Sequence, residues 1–107
     1  MILRSWTGHA PLDDPEAYAS YLLDVVRPQL DALVGFRGLW LLRRPGEASV
    51  EYRVMTLWDS MEAIRAFAGD EPERAVVEPG ARAVLAFFDS TVRHYEVLAA
   101  PPGTPPV

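Results

Sequence analysis

SVEYRVMTLWDSMEAIRAF, residues 49–67, changes its hydrophobic period halfway along, and that change fixes the architecture. Up to Trp58 the apolar residues alternate, with Tyr52, Val54 and Trp58 opposing Met55 and Leu57, which is the pattern of a strand. Beyond it, Met61, Ile64, Phe67 and Ala68 fall on one helical face, and Asp59 followed by Glu62 has the spacing of a capping box. A strand therefore runs straight into a helix, with Trp58 at the joint.

Upstream, PGEA (45–48) reads as a hairpin connection that makes this strand antiparallel to FRGLWLLRR (36–44). Before that, Gly35 ends a helix predicted over 15–27, in which Tyr18, Leu22 and Val25 recur at helical spacing. Asp13 or Asp14 is placed to cap it, with Pro15 at its first position. Pro28 should break or kink it by pushing Arg27 away from helical angles, with a further turn over 29–33. ILRSWTGH (2–9) is the first strand.

Downstream, Gly69 stops the second helix, Asp70 with Pro72 restarts a short helical piece up to EPG (78–80), and 81–88 is a last helical turn or a packed loop. DSTVRHYEVLA (89–99) is a fourth strand by its β-branched and aromatic content. A single domain is expected over 1–98, with a flexible Pro-rich tail over 99–107.

The order β-α-β-β-α-β is the ferredoxin-like arrangement, an α+β fold with a four-stranded antiparallel sheet and both helices on one face. Right-handed crossovers place strands one and three at the centre. Such a sheet should be polar on its free face, yet strand two has an apolar centre on both sides: Phe36, Gly38, Trp40 and Leu42 against Arg37, Leu39, Leu41 and Arg43. Leaving large apolar side chains wet forgoes roughly 1.5–3 kcal/mol each. A homodimer, packed sheet against sheet, is the expected cover.

Composition excludes several classes. The chain has 107 residues, no cysteine and a net charge of -5, so disulfides, thiolate metal sites and a basic nucleic-acid footprint are absent. All ten basic residues are Arg. With no apolar run of membrane-spanning length and no signal-like N-terminus, a cytoplasmic, soluble protein without a membrane partner is expected.

His9 and His94 are too far apart along the ladder for a metal pair, so no metal site is expected. His94, between Arg93 and Tyr95 in a strand, is the better candidate for proton transfer. Trp58 reads first as joint filler and second as a pocket wall. No phosphate loop, HExxH or Ser-His-Asp order is present.

The strand order, the VGFRGLWLLRR approach to strand two and the LWDSMEAIRAF joint together resemble the antibiotic-biosynthesis monooxygenase-like family of dimeric α+β barrels, over about residues 2–97. The resemblance implies a pocket between sheet and helices in which a small planar phenolic or anthrone-like substrate is oxidised without a cofactor. It implies stacking surfaces from Trp6, Tyr52, Trp58 and Tyr95, and anion stabilisation from Arg4, Arg53, Arg93 or His94, with His94 and Arg53 as the catalytic candidates. Haem-degrading members carry an Asn on strand one, a Trp late in the second helix and an axial His beyond it. Here strand one has no Asn, the late-helix aromatic is Phe67, and DEPERAVV (70–77) has no His, which counts against haem oxygenase activity. The alternative reading is a non-catalytic small-molecule-binding or purely structural dimeric domain.

Overall fold

The computed structural model describes residues 1–103. Of the tail expected over 99–107, residues 99–103 carry no helix or strand and the remaining four lie outside the described residues.

The sheet is built on β1 (Ile2–Ala10). It pairs antiparallel with β3 (Val50–Trp58) along its whole length, from Ile2 opposite Trp58 to Ala10 opposite Val50. The hairpin predicted at PGEA joins β3 to β2 (Phe36–Pro45), and Gly46 N–H closes it on Ser49 O at 3.0 Å. The far side of β1 is shared by two short strands, β4 (Phe87–Phe88) and β5 (Arg93–Glu96). Strands one and three are thus central and the helices lie on one face, as the ferredoxin-like order requires.

The fourth strand differs from the single run expected over 89–99. It begins early, at Phe87, and is interrupted because the chain after the second helix captures its hydrogen bonds. Ala75 N–H donates to Ser90 O at 2.9 Å and Val92 N–H to Glu73 O at 2.7 Å. The helical restart expected at Asp70–Pro72 is reduced to a single turn, closed by Arg74 N–H on Glu71 O at 3.0 Å, and the helix forms later, as α4 (Pro79–Val84).

Pro28 does not break the first helix. α1 (Glu16–Tyr21) passes through a π-turn (Leu22–Val26) into α2 (Arg27–Asp31), and Arg27 keeps helical angles, φ -56 and ψ -45. Arg27 N–H reaches five residues back to Leu22 O. The wider turn relieves the clash that a proline ring makes with the carbonyl four residues before it. Neither Asp13 nor Asp14 caps this helix; Pro15 occupies the capping position with no side-chain bond.

At the decisive joint, α3 (Met61–Ala68) starts as expected, but Ser60 is its cap, accepting from Ala63 N–H at 3.1 Å. Asp59 instead forms an ion pair with Arg37 at 2.6 Å. Gly69 ends the helix at φ +89, a conformation costly for any other residue.

A bulge between Phe36 and Gly38 breaks the alternation of β2. It moves Phe36 onto the helix-covered face with Leu39 and Leu41, and leaves Gly38, Trp40 and Leu42 on the free face. Two buried clusters form under the helices. One surrounds Trp58, Leu30 and Ile64; the other contains Tyr18, Leu22, Tyr52 and Val54. Among the described residues no helix is long and apolar enough to cross a membrane.

Candidate functional site

Between these clusters the packing is incomplete. A cavity of ≈ 250 Å³ lies between the sheet, the first helix with its π-turn and the loop before α4. Its floor is formed by Arg4 and Trp6 of β1 with Val54 and Thr56 of β3, four side chains that cross-strand pairing brings onto one face. Its roof is Tyr18, Tyr21, Leu22 and Val26, the last two presented by the π-turn, and Phe67 closes one end. Val76, Val77 and Glu78 form the side wall.

Trp6 is pinned from two directions. Its indole N–H donates to Asp89 O at 2.7 Å, and its ring lies over Gly8, where a Cβ would come within 2.8 Å of the ring carbon Cη2. Tyr18 packs against it with ring centroids 6.1 Å apart. Burial pushes the Tyr18 phenol well above its ordinary range, so it stays protonated and able to donate. At the other end Tyr21 donates to Glu78 at 3.0 Å. Gly80 permits this, since a Cβ there would sit 2.7 Å from Tyr21 Cζ.

Arg4 is the one cation of the cavity wall and only 5% exposed. Its guanidinium donates to Pro72 O, to Arg74 O at 3.1 Å and to His94 Nε2 at 3.0 Å, and stands 5.8 Å above the Phe67 ring. A guanidinium has only donors, so Nε2 must accept and the imidazole carries its proton on Nδ1. Desolvation pushes Arg4 down to about 10, with Glu73 acting the other way, so it remains charged at neutral pH. Burial first, and the Arg4 charge second, hold His94 below 6.5.

The sequence-predicted residues divide between two faces of the sheet. Trp6 and Arg4 line the cavity. His94 stands behind Arg4 and does not line it. Trp58 is wholly buried: its N–H donates to Thr56 Oγ1 at 2.8 Å, and it packs between Phe36 and Phe67 with centroids 5.3 Å from each. It backs the wall that Thr56 and Phe67 present. Tyr52 is also fully buried, its hydroxyl bonded to Pro15 O at 2.7 Å beneath Tyr18. Arg53, Arg93 and Tyr95 lie on the opposite face, opposite Thr7, Ser5 and Leu3 in the ladder, and share no cavity with Trp6.

Sequence reasoning missed Tyr21, Glu78 and the cavity role of Tyr18 and Phe67. The available signal was Tyr18, Tyr21 and Leu22 at helical spacing, two phenols on an otherwise aliphatic face.

No family model matches the chain, and no curated protein matches it. Solved structures match the fold. A point mutant of MhuD with two manganese protoporphyrin IX molecules bound per active site has a TM-score of 0.64 and 23% identity, covering 94% of this chain and 97% of that one. A Bacillus cereus protein provisionally assigned as an antibiotic biosynthesis monooxygenase has a TM-score of 0.54 and 16% identity, covering 92% and 94%. The fold is that of these ferredoxin-like proteins, which include the family that the sequence resembles.

Proposed function

We propose that the cavity binds a small planar aromatic molecule and that the protein oxidises it as a cofactor-independent monooxygenase. The observation that carries this reading is an apolar cavity walled by the rings of Trp6, Tyr18 and Phe67 with a single buried cation, Arg4. The likeness in fold to a protein assigned as a monooxygenase supports it.

An anthrone-like substrate supplies its own electrons. Its acidic methylene loses a proton to solvent at the cavity mouth to give an enolate, which passes one electron to dioxygen. Recombination of the two radicals forms a C–O bond and, with a proton, a hydroperoxide. Loss of the second C–H proton and of hydroxide then gives the ketone and water. In balance, the methylene and one dioxygen become a carbonyl and one water, with one oxygen atom in each product. The protein's part is to hold the ring, exclude water and stabilise the enolate oxygen, with the Arg4 charge and the protonated Tyr18 as the groups at hand. His94 acts on this site through Arg4. Arg53 and Tyr95, on the free face, take no part in it.

A porphyrin of the kind bound by the MhuD mutant does not suit this cavity. Its lining contains no His, Cys or Met, the Tyr18 phenol is held protonated, and the volume is at the small end of ligand sites. The site has few acid-base groups, and the Glu78 carboxylate at its wall already accepts from Tyr21. This sparseness favours a second reading, a module that holds the ligand without transforming it.

An oxygen electrode with a simple anthrone tests the choice. The proposal predicts uptake of one dioxygen per anthrone above the uncatalysed rate, with the ketone recovered. A raised melting midpoint without uptake would replace it by the binding module.

The same reading includes a homodimer through the free face, supported by Leu3, Trp40, Met55 and Tyr95 clustered there, with Leu42 44% exposed. Light scattering should give twice the chain mass for the wild type and one chain mass for Trp40→Glu.

A further inference from the structure

We propose that the cavity is an anion receptor in which Arg4 takes the ionised oxygen of a planar aromatic acid. The ligand class is therefore an aromatic acid held as its anion, an aryl carboxylate or a phenolate, the enolate of an anthrone being one of the latter. The proposal rests on the cavity being the ligand site and does not require turnover.

The strand geometry puts Arg4 on the helix-covered face, where an apolar residue would ordinarily stand. A charge taken out of water is normally paired with an opposite charge. Arg4 is not. The three ion pairs among the described residues are Arg37–Asp59, Arg43–Glu16 and Arg74–Glu71, and all are at the surface. What holds Arg4 is neutral: two main-chain carbonyls, the Nε2 of His94 and the face of Phe67. These contacts orient the guanidinium without discharging it. Glu73 raises the Arg4 pKa through its field but forms no ion pair with it, and Glu78, on the side wall, accepts from Tyr21. The countercharge thus falls to the ligand.

The surroundings specify the rest of it. Phe67 lies under the guanidinium, and Trp6 shares the cavity floor. A flat ring whose acidic substituent meets Arg4 can lie against Trp6 and Tyr18 with Phe67 beside it, where a flexible fatty acid would gain burial but no aromatic stacking.

Isothermal titration at neutral pH with naphthoate and with its uncharged isostere naphthamide separates charge from shape. The wild type should bind naphthoate roughly tenfold or more tightly than naphthamide, as a charge-assisted hydrogen bond gives. Arg4→Gln should bring the two affinities to within about threefold of each other, and Arg4→Lys should keep part of the preference. Arg4→Lys also serves if Arg4→Gln fails to fold.

The phenolate arm uses para-nitrophenol, whose ionised form is coloured, and needs no variant. Bound to the wild type, its apparent pKa should fall by about one unit, a tenfold shift toward the phenolate. Binding to naphthoate alone would narrow the class to carboxylates, and the nitrophenol shift alone to phenolates. Equal affinity for naphthoate and naphthamide together with an unshifted nitrophenol would overturn the proposal, as would failure of all three probes to bind, or a charge preference that survives Arg4→Gln. A wild type that prefers naphthoate but consumes no oxygen with anthrone leaves the receptor standing and removes only the oxygenase.

Discussion

Trp58 and Trp6 lie on the same face of the same sheet, at the two ends of one helix-covered layer, and they do different work. Around Trp58 the space is filled: Phe36, Phe67, Leu30 and Ile64 close on the indole, and its one polar atom is satisfied by Thr56. Around Trp6 the helix stands off the sheet, and the indole is fixed from its edge by Asp89 while its neighbourhood stays open. The difference originates in backbone, not in the tryptophans. A bulge in β2 sends Phe36 in to fill the first end, whereas the π-turn before Pro28 and the long loop after Gly69 hold the second end apart. Dense packing thus lies at one end and open space at the other.

Substitution of the two tryptophans is the strongest way to break this contrast. Trp58→Ala should cost about 3–5 kcal/mol in urea unfolding, the cost of a large void in a dense core. Trp6→Ala should cost less, since Trp6 already borders open space, but should lose most of the affinity for a planar ligand. Equal stability losses would mean that the two ends are packed alike.

Gly80→Ala attacks the cavity from its roof. The new methyl group meets the Tyr21 ring, so overpacking of about 1–3 kcal/mol is expected. Ligand affinity should change with it, because Tyr21 must leave Glu78; a variant with unchanged affinity would show that Tyr21 does not shape the site. Ser60→Ala, at the packed end, should cost about 1 kcal/mol through loss of the cap, with ligand affinity untouched.

The smallest effect is a pH dependence. His94 is held below 6.5 in the folded protein, so between its folded pKa and 6.5 the unfolded chain binds more protons. Its contribution to stability is therefore complete above pH 6.5 and declines as the pH falls below it. The slope of melting midpoint against pH in that window should lessen in His94→Gln. An unchanged slope would assign the acid sensitivity to other groups.

Much of the fold was legible because it depends on period and punctuation. The switch at Trp58, the hairpin at PGEA and the stop at Gly69 are local signals, and each is where the residues put it. What was not legible depends on competition between segments. Asp59 and Ser60 are both good caps, and Asp59 was taken by Arg37 from a neighbouring strand. Pro28 was tolerated because a π-turn made room, and the strand at 89–99 was divided because residues 73–75 captured its partners. The site was half legible for the same reason. Period two puts Arg4 and Trp6 on one face, but only the register of β3 and β5 against β1 decides that Arg53 and Tyr95 fall on the other. Tyr21 and Glu78 come from segments far apart in sequence, joined by the space that Gly80 leaves.

The most direct measurement is a crystal structure of the protein soaked with naphthoate. The account predicts the ring among Trp6, Tyr18 and Phe67, with the carboxylate on the Arg4 guanidinium and Trp58 unmoved. Naphthoate seated on the free face against Leu3, Trp40 and Tyr95, with the cavity closed by repacking of Trp6, would contradict it.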